Sequence, residues 1–213
     1  MLKNTFLILL LSCATLFAQE LPAPYNALKE LRPFVNQGWY CNSKQIQELI
    51  KKHDVRTIIE IGVWIGQSTM DMARNMHHSG KIYAVDHFLG SPEHQPGQNA
   101  WQPWLPYLYE QFLSNVIHAK LTHKIVPVRM ASLEASSYLA NVRPDLVYID
   151  AGHDTESVYK DLYTWYPFVE AKGILCGDDW LWDSVRIAVE RFAAERRLGI
   201  DASGNFWRLK KLH

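Results

Sequence analysis

Short apolar segments alternate with helical patterns along most of this chain, and this alternation limits the possible folds more than any other feature. The five segments, in chain order, are TIIEI, KIYAVD, KIVPV, DLVYID and GILCGD. Between them, apolar residues recur every three or four positions, which is the period of an amphipathic helix. Strands joined by helices run parallel and are covered on both faces. The sequence therefore predicts an α/β fold with a mostly parallel, doubly wound sheet.

The composition favours one domain that acts on a small molecule. A chain of 213 residues, 48% of them hydrophobic, can bury one substantial core. Its 22 basic and 22 acidic residues leave no net charge that would attract nucleic acid or an anionic membrane. Cys13, Cys41 and Cys176 are too few and too scattered for a disulfide framework or a zinc cluster. We expect a small-molecule acceptor and no nucleic acid, and the oligomeric state stays open.

The first 18 residues have the pattern of an export signal. One lysine precedes an apolar run that ends near Ala18, and the run is too short to span a bilayer comfortably. Acylation at Cys13, an uncleaved anchor and a helix packed on the domain are alternatives. The predicted organisation is a signal peptide or anchor at 1–18, a linker with a short helix at 19–41, and one domain at 42–213. We expect membrane contact through the first segment alone, and a cytoplasmic protein only if that segment is not a signal.

The stretch EIGVWIG, at the end of the first strand, indicates which cofactor the fold holds. Ligands of such sheets bind beyond the carboxyl ends of the strands. A dinucleotide site would show G-x-G-x-x-G, whereas this chain has Glu60, Gly62 and Gly66, which disfavours a nicotinamide oxidoreductase. Asp86 stands twenty residues after Gly66 and can accept hydrogen bonds from ribose hydroxyls. A ligand with a ribose and an ammonium group to match Glu60, but without a phosphate, fits S-adenosylmethionine.

Four stretches follow the strand ends in order: EIGVWIGQST, IYAVDHFLGS, VRMASLEAS and DLVYIDAGHDTESVYKDLYTWYPFVEAKGILCGDDW. Together they resemble the class I S-adenosylmethionine-dependent methyltransferases, in particular the bacterial group with macrocin-type sugar O-methyltransferases. The resemblance implies a Rossmann-like sheet of seven strands whose last strand is antiparallel. It also implies cofactor contacts from Glu60, Gly62, Gly66 and Ser68 at the methionine end, Asp86 at the ribose, and Ala131 and Ser132 at the adenine.

Each of these cofactor residues also has a structural interpretation. Gly62 can make a tight turn, and Gly66 can let a helix pack closely on the sheet. Ser68 can cap a helix, and Asp86 can cap the next helix or face solvent. We expect the functional interpretation because the residues fall at successive strand ends, on one rim of the predicted sheet.

Three aspartates after the fourth and fifth strands predict a cation site. Asp150 ends the fourth strand, and Asp178 and Asp179 follow the fifth. Like charges at adjacent strand ends raise each other's pKa, and Mg²⁺ or another divalent cation would neutralise them and activate a substrate hydroxyl. Catechol-type methyltransferases resemble this pattern, although they have an amide where this chain has Asp179. The alternative is that Asp178 and Asp179 cap the following helix.

The predicted catalytic residues are Asp150 and His153. His153 is the candidate general base, although a lone histidine is more often structural, and His87 and His94 are weaker candidates. Trp101, Trp104 and Tyr107 either wall a substrate pocket or pack in the core. The predicted function is methyl transfer from S-adenosylmethionine to a hydroxyl of a small molecule or sugar. The alternative is an exported or membrane-tethered binding protein that keeps the fold and has lost the reaction.

Overall fold

The computed structural model describes residues 21–100, 102–169 and 171–212. The predicted signal segment with Cys13, and the predicted pocket residue Trp101, lie outside the described residues. Across the described ranges, no helix has both the length and the apolarity that crossing a membrane requires.

Strands and α-helices alternate from Ser43 onward. The strands are β1 (Thr57–Ile61), β2 (Lys81–Asp86), β3 (Ile125–Arg129), β4 (Leu146–Ile149), β5 (Ile174–Gly177), β6 (Leu198–Ser203) and β7 (Phe206–Lys211). The helices are α1 (Ser43–His53), α2 (Gln67–Asn75), α3 (Leu108–His118), α4 (Ser132–Tyr138), α5 (Thr155–Val169) and α6 (Asp183–Arg196). The first five strands coincide with the five apolar segments of the sequence to within one residue at each end.

The strands form one seven-stranded sheet in the order β3-β2-β1-β4-β5-β7-β6. Strands β1 to β5 pair in parallel, and β7 runs antiparallel to both β5 and β6. This confirms the predicted α/β fold, the seven strands and the antiparallel last strand. Because the strand order reverses on either side of β1, the carboxyl ends of β1, β2 and β4 surround the place where such sheets bind ligands.

Two hydrophobic layers cover the two faces of the sheet. Helices α1, α2 and α3 contribute to the first layer, and α4, α5 and α6 contribute to the second. Side chains along β1 alternate between the layers: Ile58 belongs to the first, and Ile59 and Ile61 belong to the second. Glu60 therefore shares the face of Ile58 and points beneath α2 rather than toward the open edge of the sheet.

The segment before α1, predicted as a linker with a short helix, lies against this domain. Its helical part is the 3₁₀ helix Tyr25–Ala27. Tyr25 is buried, and its hydroxyl donates a hydrogen bond to the backbone oxygen of Ile125, 3.0 Å away. Further along, the backbone of Arg32 and Val35 bonds to side chains of α3. Residues 21–41 are thus held by the same core that the sheet and helices form.

Candidate functional site

The glycine loop, residues 62–66 between β1 and α2, lies at the carboxyl edge of the sheet. Gly62 has a φ of +84°, and a Cβ atom there would lie 1.8 Å from the backbone oxygen of Asp150. Gly66 has a φ of +89°, and a Cβ there would meet the ring of Phe112 at 2.9 Å. Both positions require glycine because the protein itself packs against them. The structural roles expected from the sequence, a tight turn at Gly62 and close packing of a helix at Gly66, are therefore both present.

Asp86, the predicted ribose ligand, holds the glycine loop in place. Its Oδ2 accepts hydrogen bonds from the backbone N–H groups of Val63 and Trp64, at 2.9 and 3.0 Å. Its Oδ1 accepts one from the backbone N–H of Phe88, at 2.6 Å. A carboxylate has about four acceptor sites, so Asp86 has capacity left for about one further donor, on Oδ1.

Glu60 and Ser68 contact each other beneath the glycine loop. Both side chains are buried, and the Ser68 hydroxyl donates to Oε1 of Glu60. Oε2 of Glu60 is buried and has no hydrogen-bond partner among the described residues. Burial is the main reason that the pKa of Glu60 rises from 4.5 to about 8. The charge of Asp86 adds to this rise, and the Ser68 hydrogen bond opposes it. Glu60 is 0% exposed, so this unpaired oxygen faces the protein interior and not the open edge of the sheet.

Ala131 and Ser132, predicted near the adenine, begin α4 at the end of β3. The Ser132 hydroxyl donates to Asp161 at 2.5 Å and accepts from the Trp165 indole at 2.8 Å. Burial raises the pKa of Asp161 to about 6. The backbone N–H of Met130, just before this pair, donates to the backbone oxygen of Asp86. The adenine candidates therefore lie beside the ribose candidate, but the Ser132 hydroxyl is already used by protein groups.

A cluster of two acids and one histidine lies at the ends of β4 and β5. One ligand atom from each of Asp150, His153 and Asp179 lies within 4.8 Å of the others. The adjoining cavity has a volume of about 10 Å³, which leaves room for about one water molecule or one ion. Carboxylate oxygens with one imidazole nitrogen form a donor set for a divalent cation such as Mn²⁺ or Zn²⁺. The composition of the cluster fits a cation, and we call it the acid–histidine cluster.

Asp178, a predicted metal ligand, is not one of the three residues of this cluster, although it lines the same cavity. It is 5% exposed, its Oδ2 accepts from the Tyr148 hydroxyl at 3.1 Å, and its Oδ1 accepts from the backbone N–H of Asp179 at 2.7 Å. The structure thus brings together two of the three predicted aspartates and adds His153. Neither Asp178 nor Asp179 caps α6, because its N-cap residue is Trp182 and no side chain bonds there.

The charges of the cluster shift its pKa values. Burial, and then the charges of Asp178 and Asp179, raise the pKa of Asp150 well above its usual value. Burial alone would lower the pKa of His153, but Asp179 and Glu93 outweigh it and raise that pKa. The reason is geometric: Nδ1 lies 2.6 Å from Glu93 and Nε2 lies 3.1 Å from Asp179. With an acid on each nitrogen, the ring is favoured in its doubly protonated form.

Two residues beside the cluster were not found from the sequence. Glu93 lies in the 3₁₀ helix Pro92–His94, and it connects the segment after β2 to His153. Trp182 is 49% exposed, and its ring lies 4.7 Å from the ring of His153. An acid in a long connecting segment and a tryptophan at a helix start have no spacing that marks them. Only the folded chain brings them to His153.

The other sequence candidates have local contacts. His87 accepts a hydrogen bond from the backbone N–H of Leu89, and the His94 ring accepts one from the backbone N–H of Ser91. Trp104 packs against the first hydrophobic layer, and the guanidinium carbon of Arg32 lies 3.6 Å from the centre of the Tyr107 ring. These contacts favour packing for Trp104 and Tyr107, the alternative that the sequence left open.

Comparisons with known proteins identify a domain family and similar folds. A family model described as a methyltransferase domain matches residues 59–180. The O-methyltransferase from Bacillus cereus in complex with SAH has a TM-score of 0.58 at 18% identity, with 95% of this chain and 87% of that chain covered. The O-methyltransferase TomG from Streptomyces achromogenes, involved in tomaymycin synthesis and in complex with SAM, has a TM-score of 0.59 at 16% identity, with 82% and 80% covered. The calicheamicin methyltransferase CalS11 has a TM-score of 0.60 at 18% identity, with 79% and 78% covered.

Proposed function

Because the chain belongs to the methyltransferase-domain family, we propose that it transfers a methyl group from S-adenosylmethionine to a hydroxyl group of a small molecule. The family match carries this proposal, since residues 59–180 include the glycine loop, Asp86 and the acid–histidine cluster. Two of the similar proteins are O-methyltransferases in complex with SAH or SAM, which supports this donor and an oxygen acceptor.

The donor is proposed to bind at the ends of β1, β2 and β3. Helix α2 begins without a side-chain cap, so its first N–H groups can receive the donor's carboxylate. Asp86 can accept from a ribose hydroxyl. Glu60, whose side chain is fully buried beneath α2, would support the glycine loop from below rather than contact the donor itself. S-adenosylmethionine supplies a methyl group that its sulfonium already activates. The protein's own task is then to align the acceptor and to take up its proton.

The acceptor is proposed to bind at the acid–histidine cluster. A divalent cation held by Asp150, His153 and Asp179 would lower the pKa of an acceptor hydroxyl. Asp178 would support this site from behind, because it fixes the backbone N–H of Asp179. The exposed ring of Trp182 offers an apolar surface against which the body of the acceptor can pack. Without a cation, His153 could take the proton through Nε2, provided that Nε2 has first given up its own proton and no longer bonds to Asp179.

A second candidate function is binding without transfer, in a protein that keeps the fold. The contacts of His153 favour it, because acids occupy both ring nitrogens and leave no free lone pair for a base. The donor site does not distinguish the two candidates, since both would bind S-adenosylmethionine. Turnover separates them.

The experiment is calorimetry of the full chain with S-adenosylmethionine and, separately, with a nicotinamide dinucleotide, followed by a titration with Mn²⁺. We expect binding of the first cofactor and of Mn²⁺, and no binding of the dinucleotide. Asp150→Asn should weaken Mn²⁺ binding at least about tenfold and leave donor affinity within about threefold, because the proposed donor contacts lie on other strands. Transfer of a labelled methyl group to a panel of phenols and sugars measures turnover.

The matched control is Asp183→Asn, which neutralises an acid whose side chain is 80% exposed at the start of α6. It should change neither Mn²⁺ nor donor binding. Absence of donor binding contradicts the proposed function altogether. Full turnover in excess chelator would remove the cation and leave His153 as the base, and donor binding without turnover for any acceptor would favour the second candidate.

A further inference from the structure

An irregular segment, residues 32–40, crosses α3 before the predicted start of the domain and before the residues that the family match covers. We call it the N-terminal strap. Such a segment would ordinarily be treated as a dispensable linker. Its contacts with α3 and with the glycine loop indicate a different role.

Helix α3 has a polar stripe on a buried face, formed by Gln111, Ser114 and Asn115. The side chains of Ser114 and Asn115 are fully buried, and Gln111 is nearly so. Buried polar groups are costly unless they are hydrogen-bonded, and the strap provides partners for all three. The buried polar stripe is therefore satisfied by the backbone of the strap.

The bonds between the stripe and the strap involve the strap's own backbone. The backbone N–H of Arg32 donates to the Ser114 hydroxyl at 3.0 Å, and Gln111 donates to the backbone oxygen of Pro33 at 2.9 Å. Asn115 makes a reciprocal pair with Val35: its Oδ1 accepts from the backbone N–H and its Nδ2 donates to the backbone oxygen, each at 3.0 Å. An amide side chain can match both backbone groups of one residue in this way.

Asn115 also reaches the glycine loop. Its Nδ2 donates a second hydrogen bond, at 2.8 Å, to the backbone oxygen of Ile65. One buried amide thus ties the strap and the loop together. Gln111 donates to Oδ1 of Asn115 at 3.1 Å, which fixes the orientation of the amide.

The strap touches the glycine loop at a second point. The indole N–H of Trp64 donates to Oε1 of Gln37 at 3.0 Å, and the ring of Trp39 lies 5.8 Å from the ring of Trp64. Gly38, between them, lies so close to Gln67 that a Cβ atom would be 2.3 Å from its Oε1. Trp64, Ile65 and Gln67, at the end of the loop and the start of α2, are therefore all in contact with the strap or its anchor.

We infer that Asn115 is a positioning residue for the methyl donor, and that Val35 and Gln37 of the strap help it to position the glycine loop. By bonding Val35 and Ile65 together, Asn115 holds the glycine loop in the conformation that receives the donor. The inference rests on the proposed function, because it needs the donor to bind at this loop. It assigns a role in donor binding to Val35 and Gln37, which lie outside the family match.

The test compares three variants of the full chain. Asn115→Ala removes the bonds to the strap and the loop, and Gln37→Met removes the bond to Trp64 with little change of volume. Ser114→Ala is the matched control, because it removes a strap bond from the same buried stripe without touching the loop. The affinity for S-adenosylmethionine is measured by calorimetry well below each variant's unfolding midpoint, and the midpoint is measured separately.

We expect Asn115→Ala to weaken donor affinity about tenfold and Gln37→Met about threefold, as loss of one or two hydrogen bonds to the loop would. Ser114→Ala should lower the unfolding midpoint yet keep donor affinity within about twofold. Unchanged affinity in both test variants, or equal weakening in the control, overturns the inference, because the stripe would then serve stability alone. If Asn115→Ala does not fold, Gln37→Met against Ser114→Ala decides. Absence of donor binding by the unsubstituted chain contradicts the proposed function itself, which is a different outcome.

Discussion

The two halves of the sheet's carboxyl edge differ in how far hydrogen bonds satisfy their carboxylates. At the β1–β2 end, Asp86 receives three backbone hydrogen bonds and closes the glycine loop. At the β4–β5 end, no described group donates a hydrogen bond to the Asp150 carboxylate, and its neighbours Asp178 and Asp179 are acids. The Asp86 carboxylate is satisfied by protein groups, whereas the second half holds more negative charge than His153 alone can balance, so a further proton or a cation is needed there.

The two halves meet at Gly62, so the largest expected effect comes from Gly62→Ala. The new Cβ would lie 1.8 Å from the backbone oxygen of Asp150, a contact that only a backbone shift can relieve. We expect a loss of at least about 4 kcal/mol in the free energy of unfolding, or no folded protein. Urea denaturation followed by circular dichroism measures it.

Gly97 is the control for this substitution. It has the same φ of +84°, but nothing lies within 4 Å of a Cβ placed there. Gly97→Ala should therefore cost only the backbone strain, about 1 kcal/mol. Equal losses for the two variants would mean that the positive φ, and not contact between the two halves, requires the glycine at 62.

Unlike Asp86, the Glu60 carboxyl in the first half has one oxygen without a hydrogen-bond partner among the described residues. Its raised pKa predicts that the stability of the protein depends on pH. Its carboxyl ionises near 4.5 when unfolded and near 8 when folded. Between these pH values the folded state keeps a proton that the unfolded chain has lost, so stability falls as pH rises and levels off above about pH 8. Glu60→Gln keeps a partner for Ser68 and should remove a fall of a few kcal/mol from this window. Unfolding curves at several pH values check this, and parallel curves for the two proteins would contradict it.

The smallest effects, of opposite sign, should distinguish Asp86 from Asp150. Asp86→Asn places an NH₂ group among backbone donors and should cost roughly 1 to 3 kcal/mol. Asp150→Asn mimics the protonated acid that the raised pKa favours, so it should stabilise the cation-free protein at neutral pH by up to about 1 kcal/mol. Thermal unfolding of both variants in chelator measures the pair, and a loss at Asp150 would refute the contrast.

The candidate site could be predicted from the sequence only in part. Strand ends are visible in the chain because each is the boundary of an apolar run, and Asp86, Asp150 and Asp179 were found in this way. The sequence does not show which of the adjacent acids, Asp178 or Asp179, faces His153. Asp179 has a φ of +61°, and at this turn its side chain meets His153 while Asp178 bonds to Tyr148.

Local sequence was sufficient for the first five strands and the α/β class, because hydrophobic period and strand boundaries depend on residues that are close together in the chain. Seven strands, their covering helices and the rim that carries the candidate residues all follow from such patterns or from the family resemblance. Glu93 against His153, and the strap bound through Asn115 to Ile65, join residues 50 to 80 positions apart. Contacts of that kind leave no mark in local spacing, so only the packing of the whole chain decided them.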